Sequence, residues 1–136
     1  MRTARLASLL ALVAGITLVV LILFGPLYYG CSTGAVAPGQ TPGPVVCRST
    51  SLIEVQGDHL FPAPLLWFAL WALAPGLAVI GTWLGDRAVA TWLIAIAILA
   101  DLTSLISIGG GFVFALILLP LLVFALIAVR RTPSQS

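Results

Sequence analysis

The sequence predicts an all-α transmembrane protein, a four-helix membrane bundle with a short β-ribbon in the loop between its first two spans. Three observations carry that expectation. Hydrophobic types make up 61% of the 136 residues and charged types only 7%, against roughly 25% charged in an ordinary soluble domain. Four stretches are long and apolar enough to cross a hydrocarbon layer of about 30 Å as helices. Nearly all the intervening chain is gathered into one segment. A small soluble globule could not cover this much apolar surface with so few polar groups. The same composition argues against a nucleic-acid binder, a disordered chain and a cysteine-dense secreted scaffold.

The spans are read at residues 6–29, 64–84, 88–107 and 110–129, with an outer loop at 30–61 and the whole chain forming a single membrane domain. Their apolar runs are continuous rather than alternating, which disfavours a β-barrel. The start of the chain has an arginine-rich head, as cleaved signals do. Its uninterrupted apolar run, Leu6 to Phe24, is 19 residues, longer than the usual signal core of about 7–15 residues. A retained anchor is therefore expected. Tyr28 and Tyr29 stand just before Cys31 and suit a lipoprotein cleavage site poorly.

Arginine placement sets the expected orientation. Arg2, Arg5, Arg87, Arg130 and Arg131 fall on one side of a four-span layout and only Arg48 on the other. Positive charge is retained on the cytoplasmic side, so both termini are expected inside and the 30–61 loop outside. Tryptophans at both mouths of the second span, Trp67 and Trp71 against Trp83 with Trp92, read as an aromatic belt. The all-arginine basic set suggests a GC-rich genome, and a bacterial plasma membrane is the expected home.

The outer loop changes character along its length. From Gly30 to Pro44, four glycines and three prolines read as neither helix nor regular strand. Val45-Val46-Cys47 and Ser51-Leu52-Ile53-Glu54-Val55 read as two short strands, with a turn at Gln56-Gly57-Asp58. Cys31 and Cys47 are the only cysteines. A bridge between them closes a loop worth about 3 kcal/mol by chain entropy. The alternative, a membrane thiol oxidase, calls for a closely spaced Cys-x-x-Cys and a second relay pair, and neither is present. His59, with Glu54 and Asp58 near it, falls short of the three or four ligands of a stable zinc site.

Within the spans, Asp101 is the one acid. It lies 14 residues beyond Arg87, about 21 Å along a helix, with Ser104 one turn further on the same face. An intramembrane carboxyl is costly and often marks an ion or substrate path. No other span supplies an acid, histidine or base to pair with it, so a structural role is weighed against a transport role. Small residues recur at helix-packing spacing: Ala7, Ala11 and Gly15 in the first span, Gly81 and Gly85 in the second, Gly111 and Ala115 in the fourth. Pro75 and Pro120 are expected to kink their helices. The Gly109-Gly110-Gly111 run lacks the Lys-Ser/Thr of a nucleotide loop and reads as a tight connector. No nucleophile–base pair, acid pair or dinucleotide fingerprint appears, so no catalytic residue, metal or cofactor is expected.

The segment Ser51-Leu52-Ile53-Glu54-Val55-Gln56-Gly57, after a span ending in Gly25-Pro26-Leu27-Tyr28, resembles a pattern in small bacterial four-span membrane proteins of unknown function. That resemblance covers the loop and span layout over roughly the whole chain. A looser similarity of layout is to claudin-like proteins, whose Trp-Gly-Leu-Trp signature is absent. Small four-span multidrug exporters are similar in length, but the first span here lacks their glutamate. Three functions stand open: a non-enzymatic accessory or structural subunit of a membrane complex, a small oligomeric transporter or channel using Asp101, and a thiol redox membrane protein. The expected partners are the lipid bilayer and a membrane protein or a second copy of this chain, with no nucleic acid. A reporter enzyme active only outside the membrane, fused after Ser136, is expected to stay silent; activity there would overturn the orientation.

Overall fold

The computed structural model describes residues 1–32, 39, 41, 43–106 and 111–131. Four helices are long and apolar enough to cross a membrane: α1 (Arg2–Phe24), α3 (Ala63–Leu84), α4 (Arg87–Leu102, prolonged by a 3₁₀ turn at Thr103–Ile106) and α5 (Phe112–Arg131). Between α1 and α3 lie strands β1 (Tyr28–Ser32) and β2 (Val46–Thr50), the short helix α2 (Leu52–Gln56) and a 3₁₀ turn at Gly57–Leu60. The long helices run alternately up and down. Helix α1 packs on α3 and α5, and α4 packs on the same two, so α1 and α4 stand diagonally opposite. One end of the bundle carries the start of α1 and the end of α5; we call it the terminal end, and the other the hairpin end.

Only 28–33% of each span's apolar window is buried by the other helices. The rest, including Leu10, Val13, Ile80, Trp92, Leu99 and Phe124, faces outward, as lipid contact requires and water would not tolerate. What turns inward is small. At the terminal half the buried set is Ala4, Ala7, Ala11, Ala78, Ala90, Ala97 and Ala125 with Ile94, Leu122 and Val129. Gly15 abuts the α3 backbone: a methyl group there would sit 2.8 Å from the Ala72 carbonyl oxygen. At Gly81 it would sit 2.9 Å from the Ala90 Cα, on the α3–α4 seam. Towards the hairpin end larger side chains take over, with Phe68, Trp71, Phe114, Leu118, Ile22, Leu23 and Leu60 filling the gap.

The predicted small-residue faces therefore divide. Ala7, Ala11, Gly15, Gly81, Gly111 and Ala115 are buried within the bundle. Gly85 is different, since it ends α3 at φ +82° with open space where a side chain would begin, so its role is a left-handed C-cap and not packing. Asp86 then caps the next helix, its carboxylate accepting from the N–H groups of Ala88 and Val89 at 2.7 and 3.1 Å. Pro75 and Pro120 lie inside α3 and α5 without ending either helix.

Three boundaries differ from the sequence reading. The first span stops at Phe24 rather than 29, because Gly25 leaves helical dihedrals and Pro26 lacks an N–H. Tyr28 and Tyr29 are then free to pair as strand, and β1 runs into Gly30–Ser32, where neither strand nor helix was expected. Its partner is β2, in antiparallel register from Tyr28 opposite Thr50 to Ser32 opposite Val46. The segment expected as a second strand, Ser51–Val55, is helical instead. Ser51 Oγ accepts from the Glu54 N–H while the Glu54 carboxylate accepts from the Ser51 N–H, a reciprocal capping box that outweighs the strand preference of Ile53 and Val55. Residues 107–110, which include the expected end of the third span, most of the glycine connector and the expected start of the fourth, lie outside the described residues.

Because the Gly15 site meets backbone and the Gly76 site meets only the Leu12 Cδ1 at 3.9 Å, the two glycines should respond oppositely to alanine. Gly15→Ala is expected to cost roughly 1–3 kcal/mol of stability in detergent, whereas Gly76→Ala should be neutral or stabilising by up to about 1 kcal/mol. Equal thermal midpoints for both variants would show that the α1–α3 seam is not closely packed.

Candidate functional site

Two features stand apart from plain bundle packing, and both belong to the hairpin end. The first is the ribbon itself. Cys31 and Cys47 are directly opposite each other in register and joined by a disulfide. Two strands of five residues are marginal alone, so the covalent link is well placed to hold them. Among the described residues the ribbon is buried at its base: Tyr28 packs on the aromatic cluster, and Thr50 is buried and donates to the Tyr28 carbonyl at 3.4 Å. Beyond that base the residues of both strands are exposed on both faces. Tyr29 is 78% exposed and Val46 60%, with Leu27, Val45, Val55 and Phe61 also open around them. Among the described residues no third strand pairs with the outer edges of the ribbon.

The second feature is Asp101. It continues the inward stripe of α4, following Ala90, Ile94 and Ala97, so the carboxyl enters the bundle between α3 and α5 and is fully buried. Neither carboxyl oxygen has a hydrogen-bond partner among the described residues. Ser104, the neighbour expected on that face, is buried too, but its hydroxyl donates to the Asp101 backbone carbonyl at 2.6 Å and not to the carboxyl. A carboxyl without a donor in such a place weakens the bundle. Near it, Trp71 is core rather than belt: it is 4% exposed, stacks edge-on with Phe68, and donates its Nε1–H to the Thr103 hydroxyl at 3.0 Å. Trp67, Trp83 and Trp92 remain outward. A shallow groove of about 370 Å³ lined by Trp67, Trp71, Thr103 and Ile106 opens sideways here.

A polar clasp at the terminal end carried no signal in the sequence beyond its residue types. The Ser8 and Thr82 hydroxyls share a buried hydrogen bond at 3.2 Å between α1 and α3. Arg5 donates through Nε to the Thr82 carbonyl at 3.0 Å, in the last turn of α3, and its guanidinium lies 5.4 Å from the Trp83 ring centre. Arg87 donates to the Arg130 carbonyl. These contacts tie helix ends together. His59 is exposed on its turn, and among the described residues no three of His, Cys, Asp and Glu come together.

No family model, curated protein or solved structure matches this chain, so its function has to be read from the residues themselves.

Two outcomes follow. In intact membranes under non-reducing conditions, neither Cys31 nor Cys47 should take up an alkylating reagent, and both should label after reduction; two freely labelled thiols would remove the disulfide from the ribbon. Asp101→Asn keeps the shape and removes the charge, so its thermal midpoint in detergent should equal or exceed the parent's, by up to about 2 kcal/mol of stability. A clear fall would mean that the carboxyl is held by a donor.

Proposed function

We propose that this four-span membrane protein is a non-enzymatic accessory subunit of a membrane complex, and that the disulfide-linked ribbon is the part that engages the partner. The observation that carries the reading is the ribbon's exposure. A covalently secured, largely solvent-facing pair of strands bearing Tyr29 and Val46, with Val45 exposed just before the second, contributes almost nothing to the bundle's own core, and exposed aromatic and branched side chains on such a ribbon suit docking onto another protein. The alanine-rich interior of the terminal half supports a holding role, because it leaves little room for a substrate path. The orientation proposed with it puts both termini in the cytoplasm and the ribbon outside a bacterial plasma membrane. Arg2, Arg5, Arg87, Arg130 and Arg131 at the terminal end, against Arg48 in the ribbon, support it.

The carboxyl of Asp101, which has no hydrogen-bond partner among the described residues, favours a second reading, a small transporter or channel acting as an oligomer. A carrier of this kind should lose its activity in Asp101→Asn, whereas an accessory subunit should retain its partner.

The test is the native mass of the tagged protein extracted in mild detergent, with co-migrating chains identified. A stoichiometric partner is expected. Tyr29→Ser combined with Val46→Ser should release it, with at least a tenfold loss of co-migration (about 1.4 kcal/mol), while the thermal midpoint stays within a degree or so of the parent's. A homo-oligomer running alone would favour the transporter, and a lone monomer would contradict both.

A further inference from the structure

At the terminal end, the first turn of α1 and the last two turns of α5 leave a groove of about 280 Å³ between them. It is lined by Phe124, Ile127, Ala128 and Met1 together with Thr3 and Arg131, and Arg131, the last residue of α5, stands at the helix end. Phe124 and Ile127 are about half exposed on the lipid-facing side of a membrane span, so the groove is continuous with the hydrocarbon layer. Its mouth lies at the level of the helix ends, where headgroups sit.

Charge at this end is one-sided. Among the described residues it holds Arg2, Arg5, Arg87, Arg130 and Arg131, and a single acid, Asp86, whose carboxylate is engaged at the α4 N-cap. Arg5 is spent on the Thr82 carbonyl and Trp83, and Arg87 on the Arg130 carbonyl. The Arg131 guanidinium makes no hydrogen bond or ion pair among the described residues, and it stands on the rim of the apolar groove. A slot that is apolar below and cationic above, open sideways to lipid, matches one class of ligand in both parts.

We propose that this groove is a binding site for a single anionic phospholipid, with an acyl chain against Phe124 and Ile127 and the phosphate at Arg131. Basic pockets between spans recognise anionic headgroups in this way, and each arginine near the surface contributes roughly a fivefold gain in affinity. The acyl wall distinguishes a bilayer lipid from free phosphate, which would meet only the rim. The inference is independent of the ribbon and its partner.

The test uses the full chain, stripped of lipid in an uncharged detergent and then titrated with phosphatidylglycerol or phosphatidylcholine, with bound lipid counted by native mass spectrometry. One phosphatidylglycerol should be retained at least fivefold more tightly than phosphatidylcholine, and inorganic phosphate should not compete at millimolar concentration. Arg131→Gln should abolish that preference, while Arg48→Gln at the other end should leave it intact. Ile127→Trp, which fills the groove and keeps the charge, should also displace the lipid; its fold is checked by helix content. Equal retention of both lipids, equal loss in Arg131→Gln and Arg48→Gln, or competition by free phosphate would each overturn the proposal.

Discussion

The bundle depends on how closely the backbone of α3 is approached from both sides. Gly15 of α1 meets it at Ala72, and its own Gly81 meets Ala90 of α4, at separations that leave no room for a methyl group. In lipid there is no hydrophobic gain from bringing helices together, because the acyl chains are as apolar as the side chains they replace. Association has to come from dispersion over many close contacts and from a few hydrogen bonds. Small residues permit the first, and the Ser8–Thr82 bond with the Arg5–Thr82 contact supplies the second. The two hydrogen bonds lie on the α1–α3 seam and the Gly81 approach on the α3–α4 seam, so α3 is the helix on which both neighbours close.

The two ends consequently differ. Alanines draw the helices together at the terminal half, and Phe68, Trp71, Phe114 and Leu118 fill the wider space at the hairpin half. The aromatic plug gives Tyr28 and Leu52 something to rest on, so the ribbon and α2 are anchored at their bases while the strands extend clear of the bundle. Asp101 is an exception to this economy. Among the described residues no neighbour satisfies the carboxyl it turns inward, and that is why a functional reading stands beside the ribbon.

Much of this architecture was legible in the sequence. Hydropathy alone located the four spans, since nothing but lipid or a helix neighbour can accept such runs, and the spacing of Ala7, Ala11 and Gly15 marked the face that packs. The loop was less legible. Ser51–Val55 has the branched residues of a strand, yet the capping box between Ser51 and Glu54 decides for helix, and that pattern was present in the sequence to be found. Tyr28–Ser32 became strand only through its partner β2, a long-range pairing no local pattern announces. Trp71 and Gly85 went astray for a shared reason. Depth along a helix was visible, but which way a residue faces, or whether the helix has already ended, depends on the neighbouring elements.

On the proposed reading, the helices pack into a bundle of their own and the ribbon is the surface kept for another protein. Site-specific photo-crosslinking in intact cells addresses this most directly. A photoreactive phenylalanine analogue replaces Tyr29 on the ribbon in one variant and Trp92 on the lipid-facing side of α4 in another. One discrete adduct with a different chain is expected from position 29 and no protein adduct from position 92. Absence of any protein adduct from position 29, with the bundle folded and the disulfide formed, would contradict it.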